Sequence, residues 1–179
     1  MPFQLQPTLT GDLLRLRPLT EHDFDDLCAA AADPLIWAQH PKNRSDRAIF
    51  TEFFTDTLAS GGALVALDAR TGAVIGTSRY NNYDEEKSEI EIGWSFLARA
   101  YWGGRYNSEM KRLMLAHAFQ FVENVIFVVD SENLRSQKAV EKIGGKHRET
   151  RHRDGERTNF IFCITREVYN QNLSSTITP

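Results

Sequence analysis

Leu14 and Leu16 alternate with Arg15 and Arg17 across residues 12–19, and Pro18 closes the run. A period of two marks a strand with one buried face, so a short first strand is expected there. Thr20 then has the chemistry of an N-cap, with Asp23 three residues on, for a helix reaching about Ala32. A second helix is expected to begin near Ser45 or Asp46. It carries Ile49, Phe53, Phe54 and Leu58 on one stripe and stops at Gly61-Gly62. Three strand-like runs follow, 63–67, 73–81 and 88–97, and the connections 68–72 and 84–87 are short enough for hairpins.

Beyond Gly103-Gly104 the apolar spacing changes to threes and fours, with Met110, Leu113, Met114, His117 and Phe121, so the chain is expected to turn helical. Residues 125–129 are apolar on both faces, as a central strand would be. The span 97–130 is thus a strand–helix–strand crossover, which requires a parallel pair. A further helix has Ser136, Ala139, Val140 and Ile143 on one face and is stopped by Gly144-Gly145. Two last strands flank the turn signal Asp154-Gly155. The polar tail beyond Asn170 is expected to be loose. The expectation is one domain over 1–170 with a tail over 171–179. Its fold class is mixed α/β (α+β): six or seven mostly antiparallel strands with helices on both faces.

Composition narrows the function classes. The chain has 179 residues, enough for one sizeable core, and its formal net charge of -3 gives no basic face for a nucleic acid. Cys28 and Cys163 lie far apart without metal-ligand spacing, which reads as free thiols in a reducing compartment. The first nine residues lack the basic and apolar regions of a signal peptide, and the run 125–129 is too short to cross a bilayer. A cytoplasmic location is expected, with no membrane partner.

The chemistry concentrates between Ser88 and Gly145. A strand enters the turn Tyr101-Trp102-Gly103-Gly104-Arg105-Tyr106-Asn107-Ser108-Glu109, and a helix leaves it. Unpaired N–H groups and the helix dipole at such a junction favour an anion. Glycine before a helix also serves a plain tight turn, so the junction alone is a weak signal. No Gly-x4-Gly-Lys or Gly-x-Gly-x-x-Gly occurs, which excludes the usual mononucleotide and dinucleotide loops.

The order and spacing of these parts resemble the GNAT N-acetyltransferases, nearest to the ribosomal-protein-acetyltransferase branch. The 101–109 turn is similar to the branch's Tyr-Trp-Gly-x-Gly-Tyr-Ala-Thr-Glu pattern. The segment from Asn133 through Ser136 and Lys142 to Gly144 looks like its Asn-x-x-Ser-x-x-x-x-x-Lys-x-Gly element. The likeness runs over residues 12–168. It implies a GNAT acyl-CoA N-acyltransferase fold and acetyl-CoA as co-substrate. Coenzyme A phosphates would be held around Trp102, Gly103, Gly104, Arg105, Tyr106, Asn107 and Ser108. The pantetheine arm would lie along the strand ending at Phe96 and Leu97, with Asn133 on the arm and Ser136 near the sulfur.

Two positions depart from the pattern. Arg105 and Asn107 stand where the family favours small residues; a bulky 105 either obstructs the phosphate or turns outward and adds a bidentate contact. Val140 stands where many members carry a tyrosine proton donor, so none is assumed. Asn133 also reads as a helix cap and Ser136 as an ordinary helix position.

For the proton acceptor, Glu89 and Glu91 share a strand face opposite Ile90, Ile92, Trp94 and Phe96. Two carboxylates there raise each other's pKa, while a solvated face paired with Arg79 or Lys87 is the plain alternative. Glu91 matches a glutamate common in the branch and is the candidate base; water is the other. His117 reads as a core histidine, Trp37 as either pocket wall or packing, and 146–153 as a solvated basic hairpin. Neither cysteine has a partner for nucleophilic catalysis.

The resulting expectation is direct acetyl transfer to a primary amine, on a protein N-terminus or a small molecule. It involves no metal and no covalent enzyme intermediate, and the enzyme is a monomer or homodimer. The rival is a GNAT-shaped acyl-CoA-binding or regulatory module that has lost turnover.

Overall fold

A computed structural model describes residues 2–152, 155 and 157–176. The described strands are β1 (Leu9–Thr10), β2 (Leu14–Pro18), β3 (Ala63–Asp68), β4 (Val74–Asp84), β5 (Glu89–Leu97), β6 (Asn124–Asp130), β7 (Lys146–Arg151) and β8 (Asn159–Thr165). They form one sheet in the order β1-β2-β3-β4-β5-β6-β8-β7, antiparallel except for the β5–β6 pair. The sheet is thus larger than the six or seven strands expected. β1 pairs through only two residues, too short to show any alternation.

The helices α1 (Phe24–Ala30), α2 (Arg47–Ala59), α3 (Arg105–Ala118), α4 (Leu134–Lys142) and α5 (Arg166–Thr176) cover both faces. α1 and α2 pack one core with Leu27, Phe50, Phe53 and Phe54; Met110, Met114 and Val140 from α3 and α4 pack the other. In α2 the buried positions are Phe50, Phe53, Phe54 and Thr57, so the stripe is rotated from the one expected and leaves Ile49 and Leu58 half-buried. The tail is helical as far as Thr176, contrary to expectation. Tyr169 stacks on Phe119 at 4.7 Å, which gives α5 an apolar anchor. Asp154, half of the turn signal between the last strands, lies outside the described residues.

Two irregularities in β5 shape the site. Thr77 of β4 pairs with Phe96 while Arg79 pairs with Gly93, so three steps on β5 meet two on β4. This bulge holds Trp94 at φ 49, a left-handed conformation rare for an aromatic residue. The Arg79 guanidinium stacks 3.6 Å from the Trp94 ring centroid. The extra residue reverses the side-chain alternation. Trp94 and Phe96 therefore join the α1/α2 core and Leu97 the α3 core, correcting the expected grouping of Trp94 and Phe96 with Ile90 and Ile92. The second irregularity is that β5 and β6 pair only between Glu89–Glu91 and residues 124–126. Beyond that the two parallel strands separate.

Candidate active site

The separated ends of β5 and β6 enclose a cavity of about 360 Å³. Its walls are residues 92–97 of β5, 127–130 of β6, the turn 101–104, Asn107 and Lys111 of α3, and Asn133, Arg135, Ser136, Ala139 and Val140 at α4. Ile36 and His40, between α1 and α2, close the opposite side. The cavity thus runs through the gap in the sheet from one helical layer to the other.

At the mouth, Gly103 and Gly104 take φ values of 106 and 96, which a side chain would strain. The first bond of α3 runs from Ser108 N to Gly104 O at 2.8 Å, so the N–H groups of Arg105, Tyr106 and Asn107 have no partner within the helix. No side chain caps Gly104. An ideal Cβ on Gly104 would sit 3.8 Å from Lys142 Nζ, which brings an ammonium to the same turn. Open amides, a helix dipole and a nearby cation make an anion site.

Of the residues expected to hold the cofactor, Phe96, Leu97, Trp102, Gly103, Gly104, Asn107, Asn133 and Ser136 line this cavity, and Arg105, Tyr106 and Ser108 do not. Arg105 is exposed and has no intramolecular hydrogen bond or ion pair among the described residues. Tyr106 donates its hydroxyl to Asp68 Oδ2 at 3.2 Å and meets Tyr101 edge-on, so it fastens α3 to β3. Trp102 donates its indole N–H to Leu97 O at 2.9 Å. That carbonyl thus already has one donor, while upstream of it β5 has no β6 partner beyond Glu91.

Asn133 caps α4: its side-chain oxygen accepts the Ser136 N–H at 3.1 Å. Its amide nitrogen has no protein partner among the described residues, although the side chain is buried beside the cavity. Capping therefore occupies only the oxygen of this side chain.

Glu91 is buried but is not part of the cavity wall. It lies on the α1/α2 side of β5 and accepts from Asn82 Nδ2 at 2.7 Å. Burial pushes its carboxyl pKa up, against the pull of that hydrogen bond and of Arg79. Gly93 separates it from the cavity; a Cβ there would be 3.6 Å from Glu91 Oε1. The neighbouring Glu89 is the weakest of these influences, and it is paired with Arg148. Arg79 and Lys87, the partners expected for these carboxylates, instead hold Asp56 at 2.9 Å and Asp84 at 2.8 Å.

Trp37 is packing: its indole N–H donates to Ala31 O at 2.8 Å, and its ring lies against Phe53 and Phe96. His117 sits in the core with Nε2 2.8 Å from Gln4 O.

The charged or titratable wall residues not expected from the sequence include Lys111, His40 and Arg135. Lys111 Nζ lies 2.6 Å from Ser95 Oγ and 3.4 Å from Ser78 Oγ, and burial drives its pKa down to about 7. His40 is held down at about 4, first by burial and then by Arg44 and Arg135. Arg135 stacks 4.2 Å over the Trp102 ring and donates to Ile36 O at 2.9 Å. Lys111 had a signal: it stands three and four residues before the buried Met114 and Leu115, on the apolar stripe. His40 had none.

A family model described as an acetyltransferase (GNAT) domain matches residues 14–146. Among solved structures, the chain is similar to a GCN5-related N-acetyltransferase from Brucella melitensis, with a TM-score of 0.86 and 19% identity over 99% of this chain and 88% of that one. It is also similar to RimJ from Mycobacterium smegmatis, solved in complex with CoA-disulfide, with a TM-score of 0.72 and 16% identity over 96% and 95% of the two chains. For spermidine N-acetyltransferase from Vibrio cholerae, solved with CoA and spermine, the values are 0.68 and 15% over 89% and 99%. At these identities the structural likeness is one of fold.

Proposed function

Because the chain belongs to the GNAT acetyltransferase family, we propose that it moves an acetyl group from acetyl-CoA directly to a primary amine, without a metal or a covalent enzyme intermediate. One observation carries this reading. A single cavity joins the open first turn of α3 to Asn133, Ser136 and the unpaired edge of β5. Those are the parts needed to hold a phosphate, an extended amide-bearing arm and a thioester in sequence.

In this reading the phosphates meet the free N–H groups of α3, with Lys142 and the exposed Arg105 adding charge. The arm runs along β5 upstream of Leu97, where the backbone has lost its β6 partner, and Asn133 donates to it. Ser136 faces the sulfur. The acceptor amine enters from the Ile36 and His40 side, the layer that also holds Glu91. A buried carboxylate with a raised pKa is suited to take the ammonium proton, through water past Gly93. Backbone N–H groups at the bulge stabilise the oxyanion.

The acceptor is a protein N-terminus or a small amine such as a polyamine, and the enzyme works in the cytoplasm as a monomer or homodimer. Among the described residues no helix is long and apolar enough to cross a membrane. The test is a panel of N-terminal peptides, polyamines and amino acids incubated with acetyl-CoA, read by free-thiol release beside binding calorimetry. Amine-dependent thiol release is expected. Binding without release makes the chain an acyl-CoA-binding module, and no binding at millimolar acetyl-CoA overturns the reading altogether.

A further inference from the structure

Among the described residues Lys111 has no counter-ion, although it is only 6% exposed. It reaches from α3 to Ser95 of β5 and Ser78 of β4, while from β6 it meets the Phe127 ring at 5.6 Å. The titratable groups that share the cavity wall are His40, Tyr101, Asp130 and Arg135. The one acid among them, Asp130, is engaged by Arg157 at 3.5 Å and by the Glu132 N–H at 2.8 Å. Glu109, on Lys111's own helix, turns to β2, and Glu91 lies on the far face of β5. Only burial acts on Lys111, and it acts against the charge. A buried ammonium with no protein anion is stabilised by an anion that a ligand brings.

Resting on the acetyltransferase reading above, we propose that Lys111 is a catalytic residue whose ammonium stabilises the leaving coenzyme A thiolate. Collapse of the tetrahedral adduct breaks the C–S bond and leaves the electron pair on sulfur. The thiolate becomes the counter-ion that Lys111 lacks, and the lysine keeps its proton. The attacking amine releases one proton to the base and the thiolate takes one from solvent as it departs, so amine plus thioester gives amide plus thiol in balance. Val140 of α4 lines the same cavity and has no charge or proton to offer, so the stabilising group comes from α3 instead.

The readout needs no acceptor. Thiolate absorbance is followed while coenzyme A bound to the wild-type protein is titrated, beside free coenzyme A and the variants Lys111→Met and Lys111→Gln. The bound thiol is expected to ionise at lower pH than the free one, and about one pH unit or more higher in Lys111→Met than in wild type. Once an acceptor is in hand, kcat of Lys111→Met should fall about a hundredfold or more and lose its basic limb. An identical thiol titration in wild type and variant, a surviving basic limb, or acetylation of Lys111 itself overturns the proposal. Should neither variant fold, a wild-type thiol that titrates at or above free coenzyme A overturns it as well. Failure of coenzyme A to bind removes the acetyltransferase reading and the proposal together; binding with an unmoved thiol removes the proposal alone.

Discussion

The carboxylate of Glu109 on α3 accepts the backbone N–H of Leu13 at 2.7 Å, and with it those of Leu14 at 2.9 Å and Asp12 at 3.1 Å. One side chain thus ties the helix that opens the cavity to the turn before β2. Gly11 gives it room, since a Cβ there would fall 2.5 Å from the Glu109 carboxylate carbon. Glu109→Ala should cost about 1–3 kcal/mol of stability by leaving those donors without an acceptor. Urea denaturation measures it, and acetyl-CoA affinity below the unfolding transition should stay near wild type. An unchanged midpoint would mean that water replaces the carboxylate at all three amides.

That residue also shows what the sequence does and does not disclose. Glu109 closes the segment that resembles a cofactor turn, yet it serves the scaffold; Asn133, from the other segment, both caps α4 and lines the cavity. The strand–helix–strand crossover was legible because periodicity and glycine punctuation are local signals. The Trp94 bulge was not, because no composition marks which residue of an alternating strand will be the extra one. Its position decides on which face Phe96 and Leu97 lie. His40 reaches the cavity through the path of the 31–46 connection, which no period encodes. α5 is anchored by Tyr169 on Phe119, a contact between residues fifty positions apart that no local pattern encodes.

Arg105 tests the phosphate end. It is exposed and unpaired among the described residues, so truncation removes nothing from the fold. Charge-assisted hydrogen bonds to a phosphate are worth roughly 1.5–3 kcal/mol. Arg105→Ala should therefore weaken acetyl-CoA binding about ten- to a hundredfold by calorimetry. Tighter binding would show that the side chain obstructs the turn.

Ser136 tests the thioester end. Its N–H is engaged by Asn133, and its hydroxyl has no protein partner among the described residues. Ser136→Ala should lower kcat more than it raises the KM for acetyl-CoA, the pattern of an interaction made with the developing thiolate. Equal loss in both, or none in kcat, makes Ser136 a packing residue.

Glu91 tests the acceptor side. As a base it must be ionised, so kcat/KM should fall as pH drops through its raised pKa. Glu91→Gln keeps the hydrogen-bonding shape toward Asn82 and should flatten that acidic limb while acetyl-CoA still binds. A limb that persists unchanged in the variant assigns proton removal to water or another group.

The last prediction concerns stability. An unfolded lysine keeps its proton up to about pH 10.4, whereas folded Lys111 keeps it only to about 7. Between those values the unfolded chain binds more protons, so the Lys111 contribution makes stability rise with pH across that window. At and below neutral pH the penalty is fully present, and every tenfold loss of proton affinity on folding costs about 1.4 kcal/mol. Lys111→Met, unbranched and apolar, should therefore be more stable than wild type near pH 7, by on the order of several kcal/mol before any packing cost. The advantage should shrink steadily toward pH 10. Ser95 and Ser78 do not lose their only partner in the variant, because their hydroxyls are 2.7 Å apart. Urea denaturation of both proteins at pH 6.5, 8 and 9.5 gives the comparison. Parallel curves would show that Lys111 does not titrate in this range and would remove the physical basis for an ammonium held there against its burial. A converging pair would show that the native residue destabilises the fold at neutral pH, as expected of a group held for chemistry rather than for packing.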